Sequence, residues 1–321
     1  MAKGNPPHKR ITKQILIISG FAFLITAAAF GLNVLTQDKN ELEIDGKPNV
    51  IATFFPLYDF TREIAGDRIN LDIIFTQTPE VSSFSPNDIE KINKAHLVIK
   101  NGIGLEPILD ELILASDNKD VTVADTSKGV IFAENPGDIE THEDEDRHQD
   151  HGLADPHIWL NPQNAIIQVK NIRDALIQLD PENAQFYREN SETYISKLIE
   201  LDQRLYIEIS ALSEKDFIAF HSAFGYFAQR YGLNQVAVIE EFPGKEPSPK
   251  YISDVIRTIK ETGVKVIFSE PQFSPRIADA LAKDLNLTVY PLNPVETGDI
   301  FRDSYVKIME DNLLTLKNAL R

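Results

Sequence analysis

Residues 180–212 read DPENAQFYRENSETYISKLIELDQRLYIEISAL. Asp180 and Pro181 supply an N-cap and a first-turn proline. Tyr187, Tyr194, Leu198, Leu201, Leu205, Ile209 and Leu212 then recur at spacings of three, four and seven, the stripe of a single helix face. Thirty residues of helix span about 45 Å, more than one small α/β unit accommodates. The stretch therefore predicts a connecting strut over 181–212, with a lobe on either side.

Upstream of the strut the pattern alternates. Strands are predicted over 49–55, 69–75, 96–100 and 121–124. Helices are predicted over 57–65, from Pro86-Asn87-Asp88 onward, over 106–115 and over 162–179. Gly66-Asp67 stops the first helix. Downstream, strands at 216–220, 235–239, 264–268 and 287–291 alternate with helices at 222–231, 248–262, 274–285 and 302–320. Strands alternating with helices give parallel sheets covered on both faces. The fold class is thus α/β, with two lobes of similar plan and no residue-level repeat between them. His96 precedes the apolar run Leu97-Val98-Ile99 and reads as a strand-end residue, not as a ligand.

Composition narrows the function classes. The chain has 321 residues and a formal net charge of −17, which suits cations and argues against nucleic acid. It has no cysteine, so disulfides, thiolate metal sites, cysteine nucleophiles and a lipid-modified cysteine are all excluded. Any bound metal must use His, Asp, Glu, Asn or water. Residues 1–14 are basic, with Lys3, Lys9, Arg10 and Lys13 and no acid, and residues 15–35 run without a charge. That length predicts a transmembrane anchor with a cytoplasmic N-terminus. A leader cleaved near Thr26-Ala27-Ala28-Ala29 is the alternative. Both place the remainder outside the cytoplasmic membrane. A tether over 36–48, a first lobe over 49–180, the strut and a second lobe over 213–321 complete the division.

The chemistry concentrates around residues 138–162. Seven acids and three histidines, His142, His148 and His151, fall within 138–151, and such His-bearing tracts bind metals loosely. There follows Asp155-Pro156-His157-Ile158-Trp159-Leu160-Asn161-Pro162, with one histidine between two prolines beside the only tryptophan. Beside Ile, Trp and Leu, His157 taken alone reads more readily as a core residue than as a ligand. His221 ends a predicted strand, and Glu80, Glu270 and Asn293 occupy matching places after other strands. Open α/β sheets put ligand sites at such strand ends, so these donors predict a cleft between the lobes.

Four segments carry a family resemblance: DPHIWLNP (155–162), FHSAFGYFAQRYGL (220–233), GKEPSP (244–249) and VIFSEPQF (266–273). Together they resemble the metal-binding solute-binding proteins of zinc and manganese ABC importers, most closely the zinc-uptake branch. The resemblance runs from about Asn49 to the C-terminus. It implies two Rossmann-like (β/α) lobes joined by a long rigid helix, with a divalent ion in the cleft, zinc or alternatively manganese. It also implies a monomeric carrier whose partner is an ABC permease. His157 and His221 match the family's histidine ligands. Glu80 stands in Thr78-Pro79-Glu80 where the family has a histidine, and Asn293 stands in Leu292-Asn293-Pro294 where it has an aspartate. The implied set is Glu80, His157, His221 and, as a weaker donor, Asn293, with His142, His148 and His151 as an auxiliary collector. Glu270 and Glu296 are the carboxylates that could replace the missing one. Glu270 belongs to the FSEPQF pattern and reads as structural.

Two other classes compete. A metal-dependent hydrolase would need an open coordination position and a base such as Glu270, but no H-E-x-x-H or nucleophile-elbow motif occurs. A membrane-tethered adhesion or interaction protein with a weakened metal site is the second alternative.

Overall fold

The computed structural model describes residues 46–132, 154–240 and 243–321. Residues 48–321 form one compact unit. The predicted segment 15–35 and the histidines at 142, 148 and 151 lie outside the described residues. Among the described residues, no helix is long and apolar enough to cross a membrane.

The first sheet contains β1 (Asn49–Ala52), β2 (Asn70–Ile73), β3 (Leu97–Lys100) and β4 (Thr122–Asp125), all parallel, in the order β2-β1-β3-β4. The second contains β5 (Asp216–Ala219), β6 (Asn234–Val238), β7 (Val266–Ser269) and β8 (Thr288–Pro291), parallel in the order β6-β5-β7-β8. The two orders are the same. In each, the chain reverses its direction of travel between the two central strands, which opens a crevice beyond their C-terminal ends. Central strands such as β3, Leu97-Val98-Ile99, are buried and apolar, as a sheet covered on both faces requires.

The helices are α1 (Phe55–Ala65), α2 (Pro86–Lys94), α3 (Leu109–Ala115), α4 (Pro162–Leu179), α5 (Ala184–Ser210), α6 (Gly225–Tyr231), α7 (Pro249–Thr262), α8 (Arg276–Leu285) and α9 (Tyr305–Ala319). Several starts are written into the sequence. Ser85 and Asp88 form a capping box before α2. Asn161 and Ser248 cap α4 and α7, each followed by a first-turn proline.

The predicted strut is α5, whose first turn, Pro181–Asn183, is wound as a 3-10 helix. Its buried face holds Tyr187, Tyr194, Leu198, Leu201, Leu205 and Ile209, six of the seven predicted stripe positions. α5 packs on α1 and α4 from the first half and on α6 and α9 from the second. Polar groups on its inner face fix that packing. Asp202 accepts from Arg230 and Tyr231 of the second half and from Gln163 of the first. Asp59 of α1 is fully buried and accepts from the Tyr194 hydroxyl at 3.2 Å and the Tyr305 backbone N–H at 2.9 Å.

A second set of bonds ties the segment around His157 to the loop after β8. The Trp159 indole Nε1–H donates to the Pro294 carbonyl at 2.8 Å, and the Tyr305 hydroxyl donates to the Trp159 carbonyl at 2.6 Å. Gly298 in that loop lies so close to Phe55 of α1 that an added Cβ would sit 2.6 Å from the ring. Only a residue without a side chain allows that approach. Substituting Trp159→Phe should leave the Pro294 carbonyl buried without a donor, at a cost of about 1–3 kcal/mol. The expected result is a lower urea midpoint with an unchanged m-value.

Candidate metal centre

The two histidines are presented by matching devices. His157 follows Asp155-Pro156 and leads into the 3-10 turn Ile158–Leu160. The fully buried Asp155 accepts, through one oxygen, from the His157 backbone N–H at 2.9 Å and from its ring Nδ1 at 2.8 Å. His221 lies just past β5, and Glu270 just past the adjacent β7. One Glu270 oxygen accepts from the His221 backbone N–H at 3.1 Å and from its Nδ1 at 2.7 Å. A carboxylate on Nδ1–H fixes the tautomer and leaves the Nε2 lone pair facing outward. Both Nε2 atoms face the same point, 3.3 Å apart.

Two carboxylates complete the cluster. Glu296 Oε1 lies 3.5 Å from Nε2 of His157 and 3.3 Å from Nε2 of His221. Glu80, in the 3-10 turn Pro79–Val81, brings Oε1 to 3.6 Å from Nε2 of His157. Donor atoms of Glu80, His157, His221 and Glu296 all lie within 4.8 Å of one another. A tetrahedron with zinc bonds of about 2.0–2.2 Å has edges of about 3.3–3.6 Å, which matches the four separations above. Buried acceptors normally find donors, yet Oε2 of Glu80 and Oε1 of Glu296 have none. Two imidazole lone pairs and two unanswered carboxylates around one point call for a cation.

The electrostatics agree. Burial would pull His157 down, but the Glu80 charge, the hydrogen bond to Asp155 and the nearby Glu296 carboxylate carry it up to about 10. His221 is likewise pulled down by burial and raised, on balance, well above its ordinary value by Glu270 and Glu296. Burial pushes Glu296 up, and the two imidazoles facing it reverse this and bring it down to about 2. Glu80 is raised, by burial first and by the charge of Glu296, against the pull of His157. Without a metal the cluster therefore holds protons on its imidazoles that a cation must displace.

Of the residues singled out in the sequence, Glu80, His157, His221 and the alternative carboxylate Glu296 meet. Asn293 does not join them. Its Oδ1 accepts from the Val295 N–H at 2.7 Å, and its backbone pairs with the Asn312 side chain. The carboxylate that the loop brings in is Glu296, so the substitution expected at the fourth position is corrected to a donor three residues later. Glu270 orients His221 from behind. His96 is exposed at a strand end, its Nδ1 accepting from the Asn49 N–H. Asp155 escaped the sequence reading altogether, although its place two residues before a candidate ligand histidine was a usable signal. Replacing either supporting carboxylate, by Asp155→Asn or Glu270→Gln, should weaken zinc binding about 10- to 100-fold, measured by competition with a chromophoric chelator.

Comparison with known proteins gives the same direction. The model of ZnuA, zinc-uptake complex component A, periplasmic, matches residues 50–319. The chain belongs to the ZnuA family. It is 33% identical over 314 residues to the high-affinity zinc uptake system protein ZnuA of Bacillus subtilis, covering 95% of this chain and 97% of that one. It is 33% identical over 298 residues to the zinc-binding protein AdcA of Streptococcus pyogenes, covering 88% of this chain. The match spans only 58% of that AdcA's length. Among solved structures, a zinc-bound AdcAII variant of Streptococcus pneumoniae superposes with a TM-score of 0.75 at 29% identity, over 86% of this chain and all of that one. Membership of the ZnuA family agrees with the two parallel-sheet lobes and with a group of side chains between them that could hold a metal ion.

Proposed function

We propose that this protein is the extracytoplasmic solute-binding component of an ABC importer, capturing a divalent metal ion, zinc, in the interlobe cleft and handing it to a permease. The observation that carries the reading is the set of donor separations among Glu80, His157, His221 and Glu296. They fit one tetrahedral ion held by two imidazoles and two carboxylates. Zinc accepts that mixed set at four coordinates, whereas manganese favours more oxygen donors. No bond of the cargo is made or broken, so the protein is a carrier and not an enzyme.

The cargo enters a site whose charge barely changes. A divalent ion replaces two protons, one from each imidazole, opposite the same two carboxylates. Binding is thus an exchange of one dication for two protons. The lobes are joined by α5 and stitched by Asp59, Trp159 and Tyr305, which favours release by small shifts of the site loops over wide opening. With no cysteine to carry a lipid, the uncharged stretch 15–35 serves as the membrane anchor.

Metal analysis of protein purified without chelator tests the reading: one tightly held zinc per chain is expected, and a metal-free protein that fails to take up zinc would overturn it. The histidines at 142, 148 and 151 act as a weaker collector. Deleting residues 142–151 should remove additional low-affinity zinc in a titration and leave the tight site in place.

A further inference from the structure

Gln272 closes a polar ring around His221. Its Nε2 lies 3.0 Å from Oε2 of Glu270 and 3.5 Å from Oε2 of Glu296. The other oxygens of the same two carboxylates flank the imidazole: Glu270 Oε1 on Nδ1 at 2.7 Å, Glu296 Oε1 at 3.3 Å from Nε2. The ring runs from Gln272 to Glu270, through His221 to Glu296, and back. Two carboxylates on opposite sides of one imidazole repel each other across it. The carboxamide NH2 carries two hydrogens and can answer both anions. Reversing the amide would set its oxygen against two negative charges. Its Oε1 is buried without a partner, so the NH2 end alone fixes its position.

We infer that Gln272 is a positioning residue that reserves Oε2 of Glu296, so that this carboxylate gives the metal one oxygen instead of two. The inference rests on the metal-capture reading above and adds to it a determinant of which metal is kept. A carboxylate bound through both oxygens raises the coordination number by one. Zinc is satisfied at four donors, while manganese suits an octahedral, oxygen-rich shell. Withholding an oxygen therefore costs manganese more than zinc. Glu80 has no such restraint: its second oxygen is without a partner. The restriction lies on Glu296 alone, and removing it should add one donor.

Cobalt(II) reads donor number directly, because four-coordinate cobalt absorbs far more strongly in the visible than five- or six-coordinate cobalt. Cobalt, zinc and manganese would be titrated into the wild-type protein, Gln272→Met and Gln272→Asn. The first variant removes the donor, and the second withdraws it by one methylene. The expected result is a weakened cobalt band in both variants and a zinc-to-manganese affinity ratio lowered about 10- to 100-fold, the range of substitutions behind a ligand. An unchanged cobalt band in folded variants, or zinc and manganese weakened in equal proportion, would overturn the inference. Should neither variant fold, a crystal structure of the zinc-loaded wild-type protein decides. One Glu296 oxygen at bonding distance supports the inference, and both at bonding distance defeat it. A wild-type protein that binds neither cobalt nor zinc would instead defeat the metal-capture reading itself.

Discussion

Zinc affinity should fall about ten-thousandfold between pH 8 and pH 6, a hundredfold for each unit. The slope comes from counting protons. The imidazoles of His157 and His221 are both held above their ordinary value by the carboxylates around them, His157 at about 10. Both therefore remain protonated in the metal-free cleft throughout this range, and binding expels about two protons. Competition titrations at several pH values give the slope, and calorimetry in buffers of different ionisation enthalpy counts the protons. A slope below one would mean that the free cleft does not hold them.

The same linkage acts on stability, with the sign set by the direction of the shift. A histidine raised from 6.5 to about 10 stabilises the metal-free fold fully below about 6.5 and loses that contribution as pH rises through 10. Zinc stabilises in the opposite sense, because its affinity grows with pH. The gap between the melting temperatures of zinc-loaded and metal-free protein should widen steadily from pH 6 to pH 8.

Removing either ring should cost about a hundredfold to a thousandfold in zinc affinity. Structural zinc sites contribute about 10–16 kcal/mol, so one donor of four carries about 2.5–4 kcal/mol, which is close to that factor. His221→Ala should also strand Glu270, and His157→Ala should strand Asp155, because each buried carboxylate loses the ring that it holds. Both variants are therefore expected to melt lower than the wild-type protein when metal-free. Calorimetric titration and thermal unfolding of the two variants check both statements. Zinc affinity within a few-fold of wild type in either variant would remove that histidine from the site.

Much of this was legible in the sequence because it depends on local patterns. Strand and helix alternation gave the two sheets, and the apolar stripe through Tyr187, Tyr194 and Leu198 gave α5. The short motifs around Glu80 and His221 follow strands β2 and β5, where topology brings them to one cleft, and the motif around His157 leads into the 3-10 turn before α4. The fourth donor, Glu296, was ranked behind Asn293 as an alternative, for a specific physical reason. Val295 adopts φ 63 and turns the loop so that Glu296 faces the histidines while Asn293 folds back onto the Val295 N–H. A branched side chain in the left-handed region is a genuine outlier, so no pattern of residue types predicts the turn. It is held by tertiary bonds, Trp159 to Pro294 and Asn312 to Asn293, which join residues far apart along the chain. Asp155 and Glu270 illustrate the same limit in milder form. Asp155 was only a flanking residue and Glu270 only part of a distant motif until an oxygen of each was found on one histidine's ring and backbone together.

The lone tryptophan gives the cleft an optical readout of its own. Its indole ring lies 5.2 Å from the ring of His157, close enough for an imidazolium to quench its emission and for a neutral imidazole to do so less. The exchange of protons for cargo should consequently be visible as a change in intrinsic fluorescence, without any label and on the timescale of a stopped-flow mixer.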